Sequence, residues 1–308
     1  MEHRGYRELL QESFKSNDTE EWLDIWFTRP IGLAIALACG RLGITPNAIT
    51  LAGILIGAAG GCMFYYSDLW HNVCAVALLM TANFCDSADG QLARLTNQKT
   101  VLGRLLDGFA SDAWFFCIYW ALVFRMWNDP MPLTGIAWQG WAFVLCATAG
   151  FLCHSTQCAL ADYYRNIHLW FLKGDSGSEL DSYAKEQRIY DELKKGGWSF
   201  ERLYHLFYKG YCKKQERLTP KFQAFFARLA SHHSQLSLIR SPFLEGSRPL
   251  MPLTNILTHN TRAFALFIAA LINIPWLYPL FEIVVLHPLY WLMRSRHEHL
   301  SETLIAKI

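Results

Sequence analysis

Three aspartates stand at a spacing that can hold a divalent cation. Asp86 and Asp89 are three residues apart, so on a helix they share one face, and Asp107 opens the next helical run. Between them come Gly90, Ala93 and Arg94 and then, after eight more residues, Gly103. Clustered carboxylates repel one another unless a cation sits among them. An all-oxygen donor set suits hard ions, Mg²⁺ or Mn²⁺, and such an ion commonly also takes a phosphate oxygen. Gly90 and Ala93 remove side-chain bulk where a ligand could approach the backbone. Gly103 is a second such point, and Arg94 offers a planar fork for phosphate. Helix ends decorated with solvated charge would account for one Asp pair. They account poorly for this whole spacing between two apolar runs, where ionisable groups are costly.

The surrounding sequence reads as membrane helices. Of 308 residues, 52% are hydrophobic, with 12 Trp and 20 Phe, and the mean hydropathy is +0.12. The apolar residues gather into runs near the roughly 20 residues that a spanning helix needs. The pattern predicts an all-α integral membrane fold with six transmembrane helices, at about 47–66, 70–90, 104–126, 135–160, 262–276 and 277–293. Pro275 and Pro279 leave little room for a turn between the last two. Trp22 to Leu42 mixes aromatics with Asp24, Arg29 and Arg41, which suits an N-terminal interfacial helix. Pro46 starts the first spanning helix. Eight of the nine cysteines lie in or beside the apolar runs, and no paired CxxC exists, so neither a zinc site nor a disulfide framework is indicated. The polar, charged stretch Met1 to Asp24 argues against a cleavable signal peptide.

Charge placement orients the bundle. Segments 67–69 and 127–134 and the turn near 276 carry no Lys or Arg, whereas 163–262 holds sixteen of the 28. All basic loops fall on one side of a six-helix layout with both termini cytoplasmic. The protein is therefore expected to be multi-pass, with its carboxylate stretch facing the cytoplasm. Four regions follow: a tail and interfacial helix at 1–46, helices one to four at 47–162, a cytoplasmic helical insertion at 163–260, and the last two helices with a C-terminal tail at 261–308. Within the insertion, Ser178 to Lys195 predicts one helix ended by Gly196-Gly197, Ser199 caps a second, and Thr219-Pro220 starts a third. The second interleaves aromatics with lysines, as on an anionic membrane surface or as an ordinary amphipathic packing face.

The stretch from Asp86 to Asp107 resembles the signature of the CDP-alcohol phosphatidyltransferases, D-x2-D-G-x2-A-R-x8-G-x3-D-x3-D. Asp86, Asp89, Gly90, Ala93, Arg94, Gly103 and Asp107 are all in register, and Pro46-Asn47-Ala-Ile-Thr50 looks like the family's start of its first spanning helix. The resemblance implies transfer of a phosphatidyl or phosphoalcohol group from a CDP-linked donor to an alcohol, with release of CMP in phospholipid biosynthesis. It implies that Asp86, Asp89 and Asp107 hold Mg²⁺ or Mn²⁺ around the donor pyrophosphate; Gly90, Ala93, Arg94 and Gly103 are the candidate cofactor-binding positions. Donor, acceptor and membrane lipids are the partners it implies; no nucleic acid is expected, and a homodimer is left open.

Two departures stand out. The family's fourth Asp, its proposed general base, falls on Ser111, with Asp112 next. Asp112 reaches the site only through a one-residue helix bulge; otherwise Ser111 orients the acceptor, or catalysis is lost. The second departure is the insertion, where the family usually has a short connection. A catalytically silent homologue that binds nucleotide or lipid and acts as a scaffold is the alternative function. Arg165 and Arg262, at the cytoplasmic ends of helices four and five, are candidates for an acceptor phosphate or lipid headgroup, against simple snorkelling. Glu282 and His287 take no catalytic role, and His232-His233 read as surface residues.

Overall fold

The structure, a computed structural model, describes the chain except residues 1–4, 14–15, 17, 99 and 233–234; the side chains of 7, 11–13, 101 and 176 are also left undescribed. Every described element is helical apart from one isolated bridge between Pro130 and Ala137. The helices are α1 (Tyr6–Ser13), α2 (Arg29–Arg41, entered through a π-turn at Asp24–Thr28), α3 (Pro46–Met63), α4 (Leu69–Leu95), α5 (Val101–Met126) and α6 (Gly140–Ala147, leading into a π segment at Thr148–His154). They continue with α7 (Ser155–Lys173), α8 (Tyr183–Lys195), α9 (Phe200–Leu218), α10 (Pro220–Ser231), α11 (Leu236–Ser247) and α12 (Met251–Asn255). The last are α13 (His259–Leu271), α14 (Leu277–Phe281) and α15 (His287–Ile305).

Among the described residues three helical stretches are long and apolar enough to cross a membrane: Pro46–Met63, Leu102–Met126 and Gly140–Lys173. The remaining expected spans fall short for identifiable reasons. α4 has the length, but Asp86, Asp89 and Arg94 enter its last turns. α13 is cut to 13 residues before the Asn273–Pro275 break, and beyond it α14 runs through a π segment at Glu282–Leu286 into α15, a stretch whose apolar run is interrupted by Glu282 and His287.

The chain divides into two compact units, Met1–His154 with His259–Val284, and Ser155–Thr258 with Val285–Ile308. In the first, α3 lies against α4 and α5 because glycine lets the backbones meet. A Cβ at Gly57 would sit 2.2 Å from the Trp114 indole nitrogen, and one at Gly60 2.9 Å from the Leu78 Cβ. Gly53, Gly57 and Gly61 recur every fourth residue along α3, and small residues at that spacing are the usual device for close packing of apolar helices. Trp114, 2% exposed, donates to the Gly53 carbonyl at 3.1 Å and so ties α5 to α3. Leu79, Phe115, Ile118, Leu122, Leu266 and Tyr278 fill the same core. The three helices start on side-chain caps: Thr45 accepts from the Ala48 N–H, Asp68 from His71 and Thr100 from Gly103.

The second unit corrects two details. Its first insertion helix starts at Tyr183 on the Ser182 cap, not at Ser178, because 178–182 is extended or irregular. Ser199 caps α9 as expected, by accepting from the Arg202 N–H. Pro220 begins α10, but Thr219 turns back to donate to the Gln215 carbonyl, and Glu298 accepts from the Lys221 and Phe222 N–H groups in its place. His232 lies at the exposed end of α10, while His233 falls outside the described residues.

Candidate functional site

α4 and α5 bring the three aspartates together. One ligand oxygen from each of Asp86, Asp89 and Asp107 lies within 4.8 Å of the others. Asp89 is buried, Asp86 half-buried and Asp107 exposed, so the group opens on one side. Asp89 Oδ2 is buried with no hydrogen-bond partner among the described residues. An orphaned buried carboxylate oxygen is costly, and beside two further carboxylates it is what a hard divalent cation would satisfy. The residues present thus fit Mg²⁺ or Mn²⁺.

Arg94 follows on the same helix, one turn and a residue from Asp89, with Nε and Nη2 buried and unpartnered among the described residues. Its charged neighbours are, in order of strength, Arg29, Glu20, Asp107 and Asp89. The close neighbour of a Gly90 Cβ would be the Arg94 guanidinium, at 3.4 Å. Ala93 is half-buried, and its carbonyl accepts from Gln98 where α4 ends. At Gly103 a Cβ would lie 2.7 Å from Asn47 Oδ1 and 3.0 Å from Thr100 Oγ1. Protein atoms already make that close approach and bind the start of α5 to the start of α3.

The bulge that Asp112 requires is absent, since α5 is α-helical from Val101 to Met126. At 3.6 residues per turn, residue 111 lies about 40° around the axis from 107, whereas 112 lies about 140° away. Ser111 therefore shares the Asp107 face and Asp112 does not; both are exposed.

Arg262 also departs from its expected role. It is fully buried with its Nε 3.7 Å from Glu282 Oε1. Glu282, itself fully buried, accepts from the hydroxyls of Tyr119 and Tyr278, the latter at 2.6 Å, and lies 3.2 Å from His154 Nδ1. An arginine committed to a buried carboxylate, closed off from solvent, is not presented to a headgroup. Glu282 and His287 make no bond to each other; His287 stacks on Tyr290 instead. Arg165 is half-buried on α7 in the second unit.

Sequence reasoning assigned Arg29 to an interfacial helix. The structure sets it among the site charges, acting on Asp86 as well as Arg94. The only sequence signal for it was a charge at the head of an otherwise apolar helix; its partner, the close contact of Gly32 with Ser87, is a tertiary fact. One turn of α4 before Asp86, Asn83 and Phe84 line an apolar hollow together with Trp26, Phe27, His259 and Phe264.

Residues 43–169 match the family model described as CDP-alcohol phosphatidyltransferase. The resemblance read from Asp86 to Asp107 is shown over that segment, which contains the whole aspartate cluster. Among curated proteins the chain is similar to an uncharacterized protein of Aquifex aeolicus, at 38% identity over 68 residues, covering 22% of this chain and 33% of that one. It is also similar to the archaetidylinositol phosphate synthase of Pyrococcus horikoshii, at 39% over 73 residues, covering 24% and 37%. The chain thus spans about a third of the length of these curated relatives. No solved structure matches.

Proposed function

We propose that this chain is an integral-membrane phosphotransferase of phospholipid synthesis, moving a phosphatidyl or phosphoalcohol group from a CDP-linked donor to an alcohol with release of CMP. The observation that carries the reading is the gathering of Asp86, Asp89 and Asp107 within 4.8 Å, with a buried, unpartnered oxygen on Asp89. These three residues would hold the divalent cation. When bound, that cation neutralises phosphate charge and polarises the bond to the leaving CMP. Arg94 supplies a fork for a phosphate, and Gly90 and Ala93 keep the adjacent surface free of bulk. The apolar hollow beside Phe84 and Trp26 suits the hydrocarbon part of a lipid substrate. Similarity to an archaetidylinositol phosphate synthase supports a phosphorylated lipid headgroup as product. The six-helix layout with the site facing the cytoplasm completes this proposal.

Purified protein, given a CDP-linked donor, an alcohol acceptor and Mg²⁺, is expected to release CMP. Asp86→Asn, Asp89→Asn and Asp107→Asn should each abolish release. Turnover that persists in EDTA would sink the metal assignment. Ser111 supports a second reading, a silent homologue that binds nucleotide or lipid, since no carboxylate stands on the Asp107 face one turn along α5. Binding of CDP without CMP release under every donor and acceptor tried would favour that reading.

A further inference from the structure

Across residues 155–258, six large apolar side chains are exposed among the described residues, and four of them gather at one place: Trp198 at 72%, Phe200 at 73%, Leu206 at 41% and Phe207 at 70%. They occupy the turn between α8 and α9 and the first two turns of α9. Phe200 and Phe207 are seven residues apart, so they share a face of the helix. The Trp198 ring packs edge-on against Phe200, with centroids 5.5 Å apart. The other face of α9 is the one that packs. His205 and Cys212, also seven apart, are buried. His205 Nδ1 lies 2.6 Å from Glu186 Oε2 on α8, and the buried Gln215 donates from Nε2 to the Ala159 carbonyl on α7 at 2.9 Å. A helix that packed on its neighbours through its aromatics would bury them, and α9 leaves them uncovered. An apolar patch concentrated in this way on an otherwise polar surface marks an interaction site.

The rim of the patch is cationic. From Lys194 to Lys214 the chain has six Lys or Arg against one carboxylate, Glu201. Three of the six serve the fold: Lys209 Nζ sits 3.6 Å from the Tyr190 ring centroid, Lys213 Nζ 5.2 Å from that of Tyr183, and Lys214 donates to Ser155 Oγ at 3.1 Å. The other three border the aromatics. Lys194 and Lys195 are exposed at the end of α8, and Arg202 is held at the tip by donating to the Gly197 carbonyl at 3.1 Å. Trp and Phe rings rimmed by Lys and Arg suit an anionic lipid surface, where rings enter the headgroup boundary and cations meet phosphates. The attachment of α9 points the same way. Its bonds from Lys214 and Gln215, and one from the Tyr211 hydroxyl to Asp162 at 3.2 Å, all go to α7. α7 ends the stretch Gly140–Lys173, which is long and apolar enough to cross a membrane. A bilayer is thus the partner that the fold already brings within reach of this tip.

We propose that the α8–α9 tip is a docking surface for anionic lipid headgroups. Trp198, Phe200 and Phe207 enter the headgroup layer, and Lys194, Lys195 and Arg202 pair with lipid phosphates. This goes beyond the phosphotransferase reading and gives the insertion a role of its own, a charge-selective contact with the bilayer besides the spanning helix that carries it.

The test uses the full chain, labelled with fluorotryptophan, in nanodiscs of phosphatidylcholine alone or of phosphatidylcholine mixed with phosphatidylglycerol. Trp198→Phe assigns the Trp198 fluorine resonance. A lipid with a nitroxide on its headgroup broadens that resonance when the ring lies at headgroup depth. Strong broadening is expected in the mixed discs and little in the neutral ones, and high salt should abolish it by screening the cations. Replacing Lys194, Lys195 and Arg202 together by Gln should lower the ratio of docked to undocked tip roughly 100-fold, about fivefold for each charge. Phe207→Ser should reduce the broadening and leave the unfolding temperature unchanged, because the ring it removes is 70% exposed. The salt comparison needs no variant, so a variant that fails to fold leaves the test intact. No broadening in the mixed discs overturns the inference, as does equal, salt-insensitive broadening in both kinds of disc. Phe207→Ser that lowers the unfolding temperature without changing the broadening makes this an internal packing face and overturns it too. A Trp198 signal untouched by lipid, in particles whose mass falls by one copy of the chain in Phe207→Ser, gives the face to a second copy instead. CMP release plays no part in the readout, so any of these failures leaves the phosphotransferase reading standing.

Discussion

The exchange of the family's fourth Asp for Ser111 gives the most discriminating mutational test. On the continuous α5 helix, residue 111 is about 6 Å along the axis and about 40° around it from Asp107, while residue 112 is about 7.5 Å along and about 140° around. A general base must come within about 3 Å of the acceptor oxygen, or reach it through one water. Asp112 cannot do this from the far side of a regular helix, whereas an aspartate at 111 could. A positioned general base contributes roughly 10²–10⁴-fold. Asp112→Asn should therefore change the CMP-release rate by far less than about 10²-fold, the low end of that range. Ser111→Asp should raise turnover, by up to the same range if proton removal limits the native enzyme. Ser111→Ala should cost little unless the hydroxyl orients the acceptor, in which case KM rises more than kcat falls. The assay is radiolabelled CMP release under saturating Mg²⁺, with unfolding temperature as the control for folding. A loss of 10² or more in Asp112→Asn beside a neutral Ser111→Asp would refute the argument and require α5 to rearrange when substrate binds.

Four further outcomes are expected. Single substitution of Asn for Asp86, Asp89 or Asp107 should abolish turnover and also flatten the response of thermal stability to added Mn²⁺, which can be read without substrate. Gly57→Ala puts a methyl group 2.2 Å from the buried Trp114 ring, so an overpacking cost of about 1–3 kcal/mol should appear as a lower unfolding temperature in detergent. Cysteines placed at the exposed positions Asn97 and Lys195 should react with impermeant reagent only from the cytoplasmic side, and one at Asn128 only from outside; opposite labelling of the first two breaks the six-helix layout. Burial, reinforced by nearby His168, holds His297 down at about 3. Its neutral form is the folded one, so its contribution is present above the unfolded value of about 6.5 and is lost as pH falls below it. His297→Gln, which keeps a partner for Thr254, should move the acid-unfolding midpoint to lower pH.

How much was readable in advance follows from the range over which each interaction acts. The aspartate constellation was legible because its members sit on two consecutive helices joined by a short loop, where i, i+3 spacing and the shared membrane boundary leave few arrangements. The helix start at Ser199 was legible for the same reason, being set by a side-chain oxygen and the N–H three residues on; the caps at Thr45, Asp68 and Thr100, which the sequence reading did not single out, have the same local geometry. Register beyond one turn was not legible. Asp112 needed a bulge whose presence depends on packing along the whole of α5, and that packing, through Trp114 against Gly53 and Gly57, is regular. Arg262 looked like a free cation because its partner, Glu282, lies twenty residues on and reaches it only across the fold of α13 against α14. Thr219 looked like a cap, yet Glu298, far along the chain, takes the N–H groups. Arg29 read as an interfacial charge until the meeting of Gly32 with Ser87 set it beside Asp86 and Arg94. Residue type and short spacing thus determined which chemistry this chain can host. Long-range helix contacts, which no local pattern encodes, decided which charged side chains reach that chemistry and which are spent holding the helices together.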